Sequence, residues 1–403
     1  MSNKTEPAWR PFQIPPTHLI GRDALMDRTW QSLESRSLLV SADRRLGKTH
    51  ILKAMHGKGR PGFQTFFRDL AGVNSPNLFL QYLINDVEKA LKRSRLEKAR
   101  KLLGEFPDVK LGEVAIIPRR KDIPWQAAME KTVAEIIEKL PKKMLVYFWD
   151  EVPWMLQNIA ENPDYGPSDA AALLSALRAM RNSFPALRQV LTGSVGFHHT
   201  VADIRKILLA NEPVNDMATI EVPPLAEQDA TFLAQCLLRG NGNSGPGFAE
   251  TANLIGRLTE GRPWYIHSLI GRMPRETGAD PDLARATFEE LLVDPSDDLR
   301  LEHYDTRLPS YYGKYGRSMP RIARKILTTV AQADDPVHIA TILAELTVGM
   351  PDEDALDERE EQGRTLIHLL AKDHYLAQVP GSSTIRFRSN LLKQWWRQHR
   401  GLM

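Results

Sequence analysis

Ser37-Leu38-Leu39-Val40-Ser41-Ala42-Asp43-Arg44-Arg45-Leu46-Gly47-Lys48-Thr49-His50-Ile51-Leu52 sets an apolar strand, a short charged loop and an apolar run at helical spacing in direct succession. That order suits a phosphate cradle. Consecutive backbone N–H groups at a helix N-terminus face an anion, while a lysine and a hydroxyl add charge and a metal ligand. Ala42 stands where the usual pattern has its first glycine, and alanine fits there if the backbone does not need a positive φ. The stretch reads as a P-loop.

A second stretch completes the first. Met144-Leu145-Val146-Tyr147-Phe148-Trp149-Asp150-Glu151 is a continuous apolar run ending in two acids, as expected of a strand buried on both faces of a parallel sheet with its ligand-binding end last. Asp150 is placed to hold Mg²⁺ and Glu151 to orient or deprotonate an attacking water. Two acids at a strand end are common, so the pairing with the upstream loop carries the reading.

The bulk numbers set the frame. A chain of 403 residues predicts two or three domains. With 53 basic and 50 acidic residues the net charge is +3, too balanced to imply nucleic-acid binding by itself. Cys236 is the only cysteine, which excludes an intrachain disulfide and leaves a cytoplasmic setting as the simplest expectation. No apolar run approaches the ~20 residues that span a bilayer, so no membrane association is expected.

Outward from the two motifs, residues 1–18 form a proline-rich arm and 19–224 the expected α/β core. Within that core, an amphipathic helix over Ala24 to Leu33 precedes the P-loop, and strands follow over Phe63 to Leu70, Arg188 to Leu191 and Ala218 to Val222. The span from about 74 to 124 reads as an insertion. It contains a helix from Asn77 with a basic end, Lys92, Arg93, Arg95, Lys98, Arg100 and Lys101, and a second basic group, Arg119, Arg120 and Lys121. Such runs are ordinarily solvated faces, and phosphate tracking is the sharper alternative. Further helices are expected over Gln126 to Leu140 and Asp169 to Phe184, whose Arg178 and Arg181 could face solvent or a neighbouring subunit. Thr192 and Ser194, at the end of the strand after the acidic pair, are candidates to hydrogen-bond the γ-phosphate or the lytic water, although Thr-Gly-Ser is also an ordinary turn.

Residues 225–301 read as a helical lid, the acidic stretch Asp280 to Leu301 included. Residues 302–403 read as a winged helix: helices over Arg321 to Ala331, Val337 to Leu346 and Ala355 to Lys372, then strands Leu376 to Val379 and Thr384 to Arg388. Trp395 and Trp396 in the last helix are expected to be core. Cys236 is isolated and the His198-His199 pair has no acidic or cysteine partner at ligand spacing, so no metal site beyond Thr49 and Asp150 is expected.

The chain resembles the AAA+/STAND branch of P-loop ATPases, especially the archaeal-type ATPases that also occur widely in bacteria. The resemblance rests on Leu19-Ile20-Gly21-Arg22-Asp23, Ala42 to Thr49, Phe148 to Glu151, Leu191 to Ser194, Gly261-Arg262-Pro263 and Phe387 to Leu392, which follow the family's order over most of the chain. It implies that Ile20, Gly21 and Arg22 lie near adenine, and that Ala42, Asp43, Arg44, Arg45, Leu46, Gly47, Lys48, Thr49 and His50 cradle the phosphates of ATP. It further implies Lys48 on the β- and γ-phosphates, Mg²⁺ on Thr49 and Asp150, Glu151 as the catalytic carboxylate, and Gly261 with Pro263 touching nucleotide from the lid. Members often carry an arginine finger in the stretch corresponding to Leu208 to Asp216, where this chain has no Arg; Arg178, Arg181 and Arg205 are weak substitutes.

The expected function is a Mg²⁺-dependent, slowly hydrolysing or partner-stimulated ATP switch that controls self-assembly or a protein partner, in a setting such as defence or a mobile element. The alternative is a nucleic-acid-binding ATPase of the replication-initiator or transposition-regulator type. It would use the winged helix and the basic helix, but the acids at the leading end of the third winged-helix segment, Asp352 to Glu361, would repel a DNA phosphate backbone.

Overall fold

The computed structural model describes residues 8–13, 18–90, 124–193, 197–200, 213–294, 296, 298–348 and 353–402. Packing divides the chain into two compact units. One comprises Arg22–Ala42 and Lys48–Val222; the other comprises Met1–Gly21, Asp43–Gly47 and Pro223–Met403.

The first unit runs α1 (Asp23–Leu33), β1 (Leu38–Ser41), α2 (Lys48–Lys58), β2 (Phe63–Asp69), α3 (Pro76–Ala90), α4 (Trp125–Lys139), β3 (Met144–Asp150), α5 (Val152–Glu161), α6 (Pro167–Ser183), β4 (Leu187–Thr192) and β5 (Ala218–Glu221). Its five strands are parallel in the order β2-β3-β4-β1-β5. The order puts β4 between the strand that leads into the P-loop and the strand that ends in Asp150.

Period-two alternation along β3 explains both its burial and its aim. Tyr147 and Trp149 stack on each other with centroids 5.1 Å apart, and Phe66 and Phe79 extend that aromatic layer at 5.1 Å each. Phe148 points to the opposite face and meets Trp30 of α1 at 6.0 Å. Asp150 shares the Phe148 face, the side on which the P-loop helix α2 lies, as its bond to Thr49 shows.

One expectation changes here and one element is added. Arg181 does not face solvent or a neighbour: its side chain is 3% exposed. It donates to both oxygens of Asp216 (2.7 and 2.8 Å), to Gln189 Oε1 (2.8 Å) and to the Pro213 carbonyl (2.6 Å). A buried guanidinium must satisfy its donors, and the four bonds fix α6 to β4 and to the approach to β5. Helix α5, which starts directly after Glu151, was not anticipated; Pro153 in its first turn is its start signal. The basic positions from Lys92 to Lys101 and the group Arg119, Arg120 and Lys121 lie outside the described residues.

Among its described residues the second unit is helical apart from one small sheet. It holds α7 (Glu227–Gly240), α8 (Phe248–Leu258), α9 (Pro263–Arg272), α10 (Pro281–Val293), the short α11 (His303–Thr306) and α12 (Leu308–Tyr312), α13 (Met319–Gln332), β6 (Val337–His338), α14 (Ile339–Thr347), α15 (Glu353–Lys372), β7 (Leu376–Gln378), β8 (Thr384–Phe387) and α16 (Asn390–His399). The sheet is antiparallel in the order β6-β8-β7.

Val337 and His338 pair with Ile385 and Thr384, so the helix expected from Val337 starts at Ile339, with His338 Nδ1 accepting from the Ala340 amide. The acidic stretch from Asp280 is helical only to Val293. Asp294 then accepts from the Ser296 amide (2.8 Å), a side-chain turn that competes with helix continuation. Trp395 and Trp396 are buried as expected.

The described arm packs on this unit. The Trp9 amide donates to the Cys236 carbonyl, and Phe12 lies against Trp264 and His267, with centroids 4.7 and 5.1 Å away. No described helix is long and apolar enough to cross a membrane.

Candidate nucleotide site

The strand, loop and helix read from the opening motif fold as expected. Gly47 sits at φ 88°, and a Cβ there would meet no atom within 4 Å, so glycine is required for conformation rather than room. Arg45 also adopts the left-handed region at φ 69°. Two such residues within three positions turn the chain sharply into α2 and leave backbone N–H groups at its N-terminus.

Within the sheet unit, four expected residues meet at the C-terminal ends of the strands. Lys48 Nζ donates to the Ala42 carbonyl at 2.8 Å, which folds the ammonium back toward the end of β1. Thr49 Oγ1 donates to Asp150 Oδ2 at 2.5 Å, and the Glu151 amide donates to Asp150 Oδ1 at 3.1 Å. Asp150 is 1% exposed. Burial pushes its carboxyl above the ordinary range, and the carboxylate of Asp69 adds to the rise; the bonds from Thr49 and Glu151 and the charge of Lys48 oppose it without reversing it. Asp69 is Asp150's in-register partner on β2, so it belongs to the site although its sequence context gave no reason to choose it.

Glu151 sits at φ 58° as the residue before α5. A left-handed non-glycine residue costs roughly 1–2 kcal/mol, and here it separates the Glu151 side chain from the direction of the strand. Thr192 is 1% exposed and its hydroxyl has no hydrogen-bond partner among the described residues. Leu191 is in register with Trp149, which puts Thr192 level with Asp150 and on the same face. Ser194 and Arg205 lie outside the described residues. Arg22 is buried at 4% exposure, and His50 is exposed on the first turn of α2.

Within the second unit, other expected residues are held by close approach of neighbouring atoms and by charge. A Cβ on Gly21 (φ 64°) would fall 2.5 Å from the Asp229 carboxyl carbon, and one on Gly261 (φ 64°) 2.4 Å from the Leu225 carbonyl oxygen. Leu46 is buried, and Pro263 opens α9. The Arg45 guanidinium lies over the Trp264 ring, 4.1 Å from its centroid.

Asp43 is the residue whose role the sequence did not disclose. It is 4% exposed and takes Arg262 Nη1 at 2.7 Å, Tyr304 Oη at 2.5 Å and the Arg44 amide at 2.7 Å. Burial by itself would raise its carboxyl; the charge of Arg262 and then the Tyr304 bond bring it below the ordinary range. No local spacing signals this cluster, because Asp43 and Arg262 are 219 residues apart.

The donor set at Thr49 and Asp150 suits a hard divalent cation. Two hard oxygen donors, the Thr49 hydroxyl and the buried Asp150 carboxylate, converge at the C-terminal end of β3.

Solved structures similar over the whole chain include a Walker-type ATPase of Pyrococcus abyssi, 18% identical, covering 98% of this chain and 99% of that one with a TM-score of 0.61. They also include the ORC2 protein of Aeropyrum pernix in ADPNP–ADP complexes, 11% identical, covering 97% of each chain with a TM-score of 0.50. No family model matches the chain, and neither does any curated protein. The fold is that of the P-loop AAA+ ATPases.

Proposed function

We propose that the protein is a Mg²⁺-dependent ATPase that works as a nucleotide switch of the STAND type. The observation that carries this reading is the Thr49–Asp150 bond (2.5 Å) beside Lys48 and the Gly47 turn. In this assignment Lys48 exchanges the Ala42 carbonyl for the β- and γ-phosphate oxygens, and the loop amides hold the same oxygens. Thr49 and Asp150 hold Mg²⁺, which supplies neutralisation of phosphate charge when bound. Glu151 orients the attacking water and accepts its proton, and the Thr192 hydroxyl donates to the γ-phosphate or the water. Ile20, Gly21 and Arg22 bound the adenine side, with Gly261 and Pro263.

The helices and three-stranded sheet of residues 302–403 have the order of a winged helix, and we assign that domain to contact with a protein partner or a second copy. The second reading, a nucleic-acid-binding ATPase, has the fold likeness to the ORC2 protein in its favour. Against duplex contact through α15 stand Asp357, Glu358 and Glu361, all exposed on that helix.

Calorimetry with MgATP and a phosphate-release assay test the assignment. Lys48→Ala is expected to lose binding, and Glu151→Gln to keep binding while turnover falls on the order of 10²-fold or more. Wild-type protein that neither binds MgATP nor releases phosphate refutes it.

A further inference from the structure

A loop built to bind anions carries an anion of its own. Asp43 lies inside the phosphate loop, nearly inaccessible to water, and its charge is compensated by Arg262 at 2.7 Å, with Tyr304 donating at 2.5 Å. Both partner side chains of the ion pair are about as buried as a core residue, 5% for Arg262 and 4% for Asp43. Such a pair loses the screening that makes surface pairs weak, so it responds strongly to any further charge nearby.

Arg262 has a second anionic neighbour. Its Nε lies 3.8 Å from Glu260 Oε2. Glu260 in turn caps the last helix: Oε2 takes the Ser389 hydroxyl at 2.5 Å, and Oε1 takes the amides of Asn390 and Leu391 at 2.5 and 3.3 Å. Glu260 sits at φ 51° next to Gly261 at φ 64°, so its carboxylate is brought to α16 by a backbone conformation that a non-glycine residue seldom adopts. Tyr304, the other partner of Asp43, accepts at its carbonyl from Tyr375 Oη at 2.7 Å. The carboxylate in the phosphate loop is thus connected, contact by contact, to the first turn of α16.

We propose that Asp43, Arg262 and Glu260 form a charge relay that transmits occupancy of the phosphate loop to the N-terminus of α16, the phosphate groups of a nucleoside triphosphate being the anion that competes with Asp43 for Arg262. The proposal rests on the nucleotide-binding reading of the same loop. Phosphates held by the loop amides add negative charge beside Asp43. Arg262 is drawn toward the added charge and away from Glu260, and the cap on α16 changes with it.

The test is a double-mutant cycle on the full-length protein, read by MgATP calorimetry and by hydrogen exchange of the amides of residues 390–393. Removing the Asp43 charge (Asp43→Asn) is expected to tighten MgATP on the order of tenfold, and Arg262→Met to weaken it by a similar factor. Asp43→Asn/Arg262→Met is expected to return to within about threefold of wild type, because the two charges cancel. In wild type, MgATP is expected to change exchange at residues 390–393 by about threefold or more, and in the double variant to leave it unchanged although nucleotide is bound.

An unchanged MgATP affinity in Asp43→Asn, or a double variant that still transmits to residues 390–393, overturns the relay. Tyr304→Phe, which deletes one hydrogen bond to Asp43 and no charge, serves if a charge variant fails to fold; it is expected to alter MgATP affinity by about twofold to threefold, and no change at all counts against the relay. Wild-type protein that does not bind MgATP, or binds it equally well as Lys48→Ala, refutes the nucleotide reading itself, a result distinct from failure of the relay.

Discussion

Replacing Thr192 by valine separates the stability of the site from its activity, because the two are expected to move in opposite directions. Thr192 is 1% exposed, and its hydroxyl has no hydrogen-bond partner among the described residues. Keeping a buried polar group unpaired costs about 1–3 kcal/mol, and an isosteric apolar replacement relieves it. Valine keeps the volume and the β-branching that suit the end of β4. Taking about 1–2 kcal/mol as the relief and roughly 2–4 °C per kcal/mol for a unit of this size, nucleotide-free Thr192→Val should melt about 2–8 °C above wild type. If the hydroxyl is kept for the γ-phosphate or the lytic water, its loss should lower turnover by about 10²-fold while MgATP affinity changes little. Differential scanning calorimetry without nucleotide and phosphate release at saturating MgATP read the two effects. A variant that melts below wild type shows that the hydroxyl is already satisfied in the fold, and full turnover shows that Thr192 is only a strand end; either result refutes the reasoning.

Other consequences follow from the same geometry. Arg181→Met should destabilise the sheet unit by about 3 kcal/mol, because it strands the Asp216 carboxylate and the Pro213 carbonyl; urea unfolding measures it, and loss of binding without loss of stability would return Arg181 to the list of arginine fingers. Asp150 binds its proton more tightly in the fold than in the unfolded chain, so its contribution to nucleotide-free stability falls as pH rises from the ordinary carboxylate range through the raised value. The deficit then persists at neutral pH. Asp150→Asn should therefore raise neutral-pH stability and flatten that part of the pH profile, whereas Mg²⁺ affinity of the wild type, which needs the ionised carboxylate, should rise over the same interval; calorimetric melts and Mg²⁺ titrations across pH check both.

The sheet was legible because its evidence is local. The run Met144 to Asp150 is too continuously apolar for a half-exposed strand, and the loop from Ala42 to Thr49 requires a strand before it and a helix after it. The position of Thr192, level with Asp150 at the end of the neighbouring strand, was legible for the same reason. Arg181 was misjudged because a helical arginine looks alike whether it meets water or a carboxylate at Asp216; only the fold decides. Asp69 was missed since its importance is its register with Asp150, which is a property of strand pairing. In Gly261-Arg262-Pro263 the resemblance singles out the glycine and the proline, while the guanidinium between them meets an acid 219 residues earlier in the chain. Long-range charge pairs leave no periodic trace.

Whether Arg262 acts through its charge or through its shape can be decided by Arg262→Lys. The guanidinium reaches two acids along different directions, with Nη1 on Asp43 at 2.7 Å and Nε 3.8 Å from Glu260. A planar fork serves both at once, whereas an ammonium is a single compact point at the end of a flexible stem. Lysine therefore keeps the compensation of Asp43 and gives up the second arm. If charge alone matters to the loop, Arg262→Lys should bind MgATP within about threefold of wild type, in contrast to the roughly tenfold loss expected for Arg262→Met. If the fork matters to α16, the same variant should no longer show a nucleotide-dependent change in exchange at residues 390–393. Retained binding with lost transmission is the outcome that a purely structural salt bridge would not produce, because such a bridge would alter stability and leave the response of the last helix to nucleotide intact. Retained transmission in Arg262→Lys would mean that the route to α16 runs through Tyr304 and Tyr375, whose hydroxyl already meets the Tyr304 carbonyl.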